Sequence, residues 1–409
     1  MKYFRIFIAF TLFLLFNYPC FSQTGMAIGS ELVEHNLYLK AVDTLKNLLK
    51  LYNKEHKVKA GSFNHTELDQ ALALYGSFIG EEYSIRYKAR KVINQDALGA
   101  VQFTNALPYI AKQAANRSIL MINEDHTQPK HRLLTYNLLD TLYKLGYRYL
   151  AAETLAANDS SILNLKYPGA YTPEPNMANM LKKAVRLGYK LIAYESTDTT
   201  EYNSRHPFYA DNLRELEQAR NLYQIFVKDS KAKVLVHAGH GHIWKRTDDD
   251  LIPMAKYFSI ISGIDPFCVN QSVNNLQEFT LRLDKVVKTT GIPYVVLNDK
   301  SNAQVSAYDI KGSYDCLVAW PTPQIVKGRK DYMLAKRGNK EYVINLNTTD
   351  AGNLLQIKSS LVGDAIPVDQ FVVKPHTFQY ASALEAGTYL MQVINRNGII
   401  TWKKQMIVK

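Results

Sequence analysis

Cysteine is scarce: three residues among 409, one of which, Cys20, lies close to the start. Cys268 and Cys316 sit in apolar segments, where two inert buried thiols are as well supported as one disulfide, so the fold does not rest on a disulfide framework. No apolar run reaches the ~20 residues of a transmembrane helix, which excludes a polytopic membrane protein. With 47% hydrophobic and 21% charged residues, and only 20 Gly and 14 Pro, disorder and collagen-like repetition are excluded too. The 49 Lys and Arg outnumber the 37 Asp and Glu for a net charge of +12, yet basic residues gather only into short groups such as Lys182-Lys183 and Lys403-Lys404. A nucleic-acid binder would concentrate them into a stripe interleaved with aromatics, so no nucleic-acid partner is expected.

The first residues point to export. Lys2 and Arg5 precede a nearly unbroken apolar run over residues 6–16, and Cys20 and Ser22 put small residues at −3 and −1 of a cleavage site before Gln23. Residues 1–22 are therefore expected to be a signal peptide. The mature chain would have no transmembrane anchor and would work in the periplasm, outside the cell or at its surface.

Residues 31–112 read as helices, with Leu37, Ala41, Leu45, Leu48 and Leu49 at mostly helical spacing. From Ser118 onward, short apolar runs at 119–122, 149–152, 191–194, 234–236, 294–297 and 316–320 alternate with helix-length amphipathic segments. Such runs are strands buried on both faces, and the expected class is α/β: a layered, mostly parallel central sheet flanked by helices. One local repetition sharpens this. Lys144-Leu145-Gly146-Tyr147-Arg148 leads to Glu153, and Arg186-Leu187-Gly188-Tyr189-Lys190 leads to Glu195. Each Gly fits a helix C′ position with positive φ, and each Glu falls at a strand's carboxyl end, where open α/β sheets place ligands.

After Gly328 short β-type segments follow one another, and Asn397-Gly398 is a strong hairpin turn. The expected division is a signal peptide at 1–22, an α/β domain at 23–335 and a small all-β sandwich at 336–409, the last a surface for contact with other proteins or the cell exterior.

Three segments carry the chemistry. Asn123-Glu124-Asp125-His126-Thr127-Gln128-Pro129-Lys130-His131 follows a strand and opens a helix, setting acid and imidazole where they can share a ligand, metal or proton. Glu153 ends the next strand. His237-Ala238-Gly239-His240-Gly241-His242 runs from a strand into a Gly-rich turn that lets backbone approach a ligand. Inside its strand, His237 reads as structural.

These residues resemble the spaced G-E-x-H, strand-Glu and G-x-G-H motifs of the erythromycin esterase, ChaN and Tiki/TraB superfamily, over about residues 36–331. Asn123 replaces the usual Gly, and Gly239-His240-Gly241-His242 is closer to the ChaN and Tiki form than to the esterase form. The resemblance implies a catalytic set of Glu124, His126, Glu153 and His242. It also implies a substrate-lining helix with Arg214, Gln218 and Asn221, whose i, i+4, i+7 spacing shares one face. His131, Glu195 and His240 complete the expected substrate-binding residues. Two activities are open. One is a hydrolase of ester or peptide bonds, acting on a small-molecule or peptide substrate. In it His126 or His242 activates water, Glu124 and Glu153 orient the imidazole or, with His126 and His242, hold a divalent metal (Mn or Zn), and Arg214 steadies an oxyanion or a substrate carboxylate. The other is a ChaN-like haem- or iron-binding protein without hydrolytic activity.

Overall fold

The computed structural model describes residues 21–57, 67–83, 101–156, 169, 171–197, 208–247, 250–272, 276–287, 291–298, 313–359 and 366–409. Most of the expected signal peptide, residues 1–20, lies outside them.

Helices α1 (Phe21–Glu34), α2 (Tyr38–Glu55) and α3 (Glu67–Phe78) pack on one another through Val33, Leu45, Leu68 and Phe78. The helical reading of 31–112 needs one correction: Val101–Asn105 is a strand, β1. It pairs antiparallel with β7 (Tyr294–Asn298) at the sheet edge, and its short run of alternating Val, Phe and Thr suits a half-buried strand. The Asn105 side chain then caps helix α4 (Ala106–Ala114) by accepting from Leu107 N at 3.0 Å.

The remaining α/β elements are β2 (Ile119–Asn123), α5 (Lys130–Lys144), β3 (Tyr149–Ala152), α6 (Pro175–Leu187), β4 (Lys190–Ile192), α7 (Tyr209–Lys228) and β5 (Val234–Ala238), then α8 (Met254–Ser262), β6 (Phe267–Asn270), α9 (Leu276–Val286), β7 and β8 (Cys316–Ala319). They form an eight-stranded sheet of order β1-β7-β8-β6-β2-β5-β3-β4. Strands β8, β6, β2, β5, β3 and β4 run parallel, and the antiparallel pairs lie at the β1 edge. The continuous apolar runs follow from this layering. In β2, Leu120 and Ile122 face the layer holding Leu133 and Met177, whereas Ile119 and Met121 face the layer holding Leu222 and Phe258. Gly146 and Gly188, the two expected helix C′ glycines, both have φ of 95°. Cys268 and Cys316 are free and buried on neighbouring strands.

The C-terminal strands β11 (Lys340–Asn345), β12 (Leu354–Ser359), β13 (Asp369–Val372), β14 (Gln379–Leu384), β15 (Gly387–Ile394) and β16 (Ile400–Val408) follow a small β9–β10 hairpin (Ile325–Val326 and Arg329–Lys330). They make two antiparallel sheets, β11-β14 and β13-β12-β15-β16, that enclose Ile344, Leu355, Phe371, Tyr380 and Val393. This sandwich is tied to the rest of the chain. Gln370 Nε2 donates to Phe78 O at 2.8 Å, Val372 N to Ile79 O at 3.0 Å and Arg337 N to Asn137 Oδ1 at 2.8 Å. Among the described residues no helix is long and apolar enough to cross a membrane.

Candidate functional site

Parallel strands bring their carboxyl ends to one edge, so the residues just after β2, β3, β4, β5 and β6 meet there. The chain reverses its direction of progress across the sheet around β2 and β5, and the site lies over that pair.

Glu124, the first residue after β2, has no exposed surface. Its Oε1 accepts from His126 Nδ1 at 2.7 Å and Arg132 Nη2 at 2.9 Å, and its Oε2 accepts from Arg132 Nε and His237 Nε2, each at 2.8 Å. Burial would raise the carboxyl pKa, but Arg132 and the two imidazoles outweigh it and hold the group well below the carboxylate range. Glu124 is thus an anion whose two oxygens are filled by protein donors. Because a carboxylate only accepts, Nδ1 of His126 carries the proton and Nε2 is left uncommitted. The His126 side chain is 37% exposed and packs against Tyr171 at 4.4 Å. Burial lowers its pKa, yet Glu124 and the charge of Glu153 together raise it above the ordinary imidazole value. His237 is buried at 1%, with Nδ1 3.0 Å from Thr135 Oγ1, a structural partner of Glu124 as its place inside β5 suggested.

Glu153, after β3, accepts from Gly239 N, from Arg214 Nη2 at 3.0 Å and lies 3.4 Å from His242 Nε2. Burial is again outweighed, here by His242, His126 and Arg214, and its pKa falls below the ordinary range. On its other side His242 Nδ1 sits 2.6 Å from Glu215 Oε1. Burial would lower the imidazole, but Glu153 and Glu215 push it up to about 10, so His242 is a cation at neutral pH. Arg214 binds both Glu153 and Glu195, and its Nη1 lies 3.4 Å from His242 Nε2. The structure thus brings Glu195 into the same cluster. Gln218 Nε2 donates to Glu195 Oε1 at 2.9 Å, while Asn221 Nδ2 donates to Tyr194 O at 3.1 Å and so fixes the chain after β4.

Gly239 joins the halves. A Cβ there would lie 2.8 Å from Glu153 Oε2 and 3.1 Å from His126 Nε2, so both groups border one point and a side chain would displace them. His131 is different. It is 3% exposed, its Nδ1 accepts from Asp125 N at 3.0 Å, and burial with the Lys130 charge pushes its pKa well down. The ring is neutral, buried and fastens the 125–131 loop, and it does not line the cavity beside His126. His240 is exposed and lines a cavity of about 670 Å³ with Asp125, His126, Tyr171 and Ser272, facing an apolar wall of Met26, Ala27, Leu74 and Tyr75 from α1 and α3. Desolvation, helped by the nearby His126 and His242, lowers the pKa of His240 against the pull of Asp125. A second cavity of about 760 Å³ runs along α7 and shares Arg214, Glu195 and Asn221 with the cluster.

The proposed metal ligands do not fit a metal as arranged. Both oxygens of Glu124 are filled, those of Glu153 are taken by Gly239 N, Arg214 and His242, and His242 lies between two carboxylates. Among the described residues no group of three or more His, Cys, Asp or Glu is placed to hold an ion. Arg132 and Arg214 occupy the cationic positions instead.

Three participants, Arg132, Glu215 and Ser272, escaped the sequence reading. Arg132 is fully buried, and besides Glu124 its Nη1 lies 2.9 Å from Glu174 Oε2, although off the hydrogen-bonding line. Glu215 and Ser272 come from α7 and the end of β6. A buried Arg eight residues beyond a strand-end Glu looks in the sequence like any helix-surface base. The 3.6-residue period of α5, which sets Arg132 just inside its first turn, is the one signal that could have pointed inward.

Fold and site together define a layered α/β protein with a His-carboxylate cluster at the carboxyl edge of a parallel sheet. No family model matches the chain, and no curated protein matches it. Among solved structures it is similar to the type III effector HopBA1, at 12% identity and a TM-score of 0.35 over 56% of this chain and 99% of that one. It is similar also to RRSP, a MARTX toxin effector domain from Vibrio vulnificus CMCP6, at 18% identity and a TM-score of 0.30 over 51% of this chain and 44% of that one. A structure described as bacterial protein toxins aligns at 17% identity and a TM-score of 0.30, over 50% and 46% of the respective chains. This chain thus spans less than half the length of the last two, and alignments this loose do not bear on activity.

Proposed function

We propose that the protein is an exported hydrolase of ester or peptide bonds that works without a bound metal, of the kind its resemblance to the erythromycin esterase and Tiki group implies. The observation that carries the reading is His126: Nδ1 is tied to the buried Glu124 and Nε2 opens beside a cavity. A carboxylate partner fixes the tautomer and raises the basicity of the free nitrogen. In this reading Nε2 takes a proton from water as its oxygen attacks the carbonyl carbon. The charge developing on the carbonyl oxygen is opposed by the cations His242 and Arg214. When the tetrahedral species collapses, the same proton passes from His126 to the leaving oxygen or nitrogen, and the base is restored.

The test is a panel of p-nitrophenyl esters and internally quenched peptides, run on the wild type and on His126→Ala. Turnover lost by about 10³-fold in the variant, with an unchanged circular dichroism spectrum, supports the reading. A wild type inert to the whole panel, or an unimpaired variant, overturns it.

A haem-binding alternative has one specific support: the apolar wall of Met26, Ala27, Leu74 and Tyr75 across the cavity from His126. His126 would hold the group, and the bound group would supply iron coordination chemistry. Haemin titration with a Soret shift that His126→Ala abolishes would favour it.

A further inference from the structure

We propose that His240 is a second active imidazole of this site, held as the neutral tautomer that presents Nε2–H to the substrate's carbonyl oxygen. The inference rests on the hydrolase reading and gives His240, expected only as a substrate-binding residue, a defined tautomer and a donor role.

The argument follows hydrogen bonds from an obligatory donor. The backbone N–H of Gln271 points at Asn123 at 2.8 Å, so the atom facing it must be the acceptor Oδ1. The other amide atom is then Nδ2, which can only donate, and it lies 2.7 Å from Ser272 Oγ, 3.0 Å from Asn270 Oδ1 and 2.8 Å from His240 O. Ser272 Oγ therefore cannot donate to Asn123 Nδ2 and must place its own proton elsewhere. Two acceptors are in reach: His240 Nδ1 at 2.6 Å and Asn270 Oδ1 at 3.5 Å. The second is at the limit of a hydrogen bond and already accepts from Asn123 and from Ser272 N at 3.0 Å. The hydroxyl thus donates to His240 Nδ1, and a neutral ring with Nδ1 as acceptor carries its proton on Nε2.

Asn123 and Asn270 have no exposed surface and Ser272 has 7%, so the chain of bonds is not rearranged by solvent. The charged and titratable groups near the ring are Asp125, His126 and His242. A neutral imidazole donor avoids adding a second cation beside His242, and leaves His126 free to act as the base. It also gives a reason for Asn at 123, where the resemblance expects Gly: the amide orients the seryl hydroxyl that orients the imidazole.

The test combines side-chain ¹⁵N spectra of the histidines with turnover of the p-nitrophenyl ester that the wild type uses best. His240 is assigned by the signal missing in His240→Gln. The expected wild-type signal is the neutral Nε2–H tautomer, and Ser272→Ala should lose that preference, which a merely structural serine would not cause. His240→Ala should lower kcat by on the order of 10²-fold with a smaller change in KM, and His240→Gln, which keeps an amide donor, should recover part of the loss. A wild-type Nδ1–H tautomer or an imidazolium at neutral pH overturns the proposal. An inert wild type overturns the hydrolase reading and this role with it, whereas an active wild type with an unimpaired His240→Ala overturns the role of His240 alone.

Discussion

Nδ1 of His126 lies 2.7 Å from Oε1 of Glu124, and the same oxygen is 2.9 Å from Arg132 Nη2. One carboxylate therefore serves two masters. Arg132 neutralises it in the core, and His126 carries what remains of its basicity outward. The arrangement makes Glu124 a positioning group and ties the stability of the fold to the electrostatics of the site.

Arg132→Met should be strongly destabilising. It removes the cation between Glu124 and Glu174, leaving two carboxylates with almost no exposure facing a hydrocarbon. Loss of one partner of a buried pair costs about 3–5 kcal/mol. Urea unfolding followed by circular dichroism checks the figure, and a loss under about 1 kcal/mol would mean that the two carboxyl groups become protonated or hydrated at little cost.

Gly239→Ala separates geometry from stability. Its Cβ would press on the ends of two side chains, Glu153 Oε2 at 2.8 Å and His126 Nε2 at 3.1 Å, while Gly239 is not among the residues of positive φ. The chain can fold around the methyl group by displacing those ends. The expected outcome is a melting temperature within a few degrees of wild type and a fall in kcat/KM of about 10²-fold, the usual consequence of misplacing a reacting group by ~1 Å. Unimpaired turnover would remove the Glu153–His126 juxtaposition from the mechanism.

Part of this arrangement was legible in the sequence, for physical reasons. Strands buried on both faces have to be apolar throughout, so β2, β3, β5 and β8 announce themselves, and Gly146 and Gly188 announce the corners because only glycine takes their φ without strain. The edge strand β1 does not, since a half-buried run of five residues before a helix has no distinctive period. Within the site, Glu124, Glu153 and His242 were visible because they follow strands. Arg132 and Glu215 were not, because a helix residue's inward direction depends on which neighbour packs over it, and Ser272, two residues past β6, looks like any loop serine. The role of His131 was likewise hidden: nothing in the sequence shows that its ring accepts from Asp125 N instead of facing the cavity.

Alkaline destabilisation should trace to His242. Its pKa in the folded protein is raised to about 10, against ~6.5 for a free imidazole. A raised pKa means the folded state binds the proton more tightly, so this contribution is complete below pH ~6.5 and is lost as pH climbs through about 10. Melting temperatures across that range should decline more steeply for the wild type than for His242→Gln, whose amide keeps a similar size but does not titrate. Parallel curves would show that the imidazolium is not what holds Glu153 and Glu215 together.

The C-terminal sandwich should prove necessary for the stability of the α/β part. Leu354 belongs to the same apolar cluster as Val42, Phe78 and Tyr332, and the backbone carbonyls of Phe78 and Ile79 receive their hydrogen bonds from Gln370 and Val372. On α5, Asn137 is bonded at both ends of its amide, to Ala335 O at 2.9 Å and from Arg337 N at 2.8 Å. A chain ending at residue 335 would expose Phe78 and Ile79, now 1% accessible each, and leave those carbonyls to water. The α3 helix that carries them also supplies Leu74 and Tyr75 to the cavity wall, so the damage should reach the site. Expression of residues 23–335 should give aggregated or early-melting protein, measured by size-exclusion chromatography and calorimetry. A monodisperse fragment with the wild-type melting temperature would instead make the sandwich a separable module, and the apolar contacts of Leu354 a docking surface, not a core.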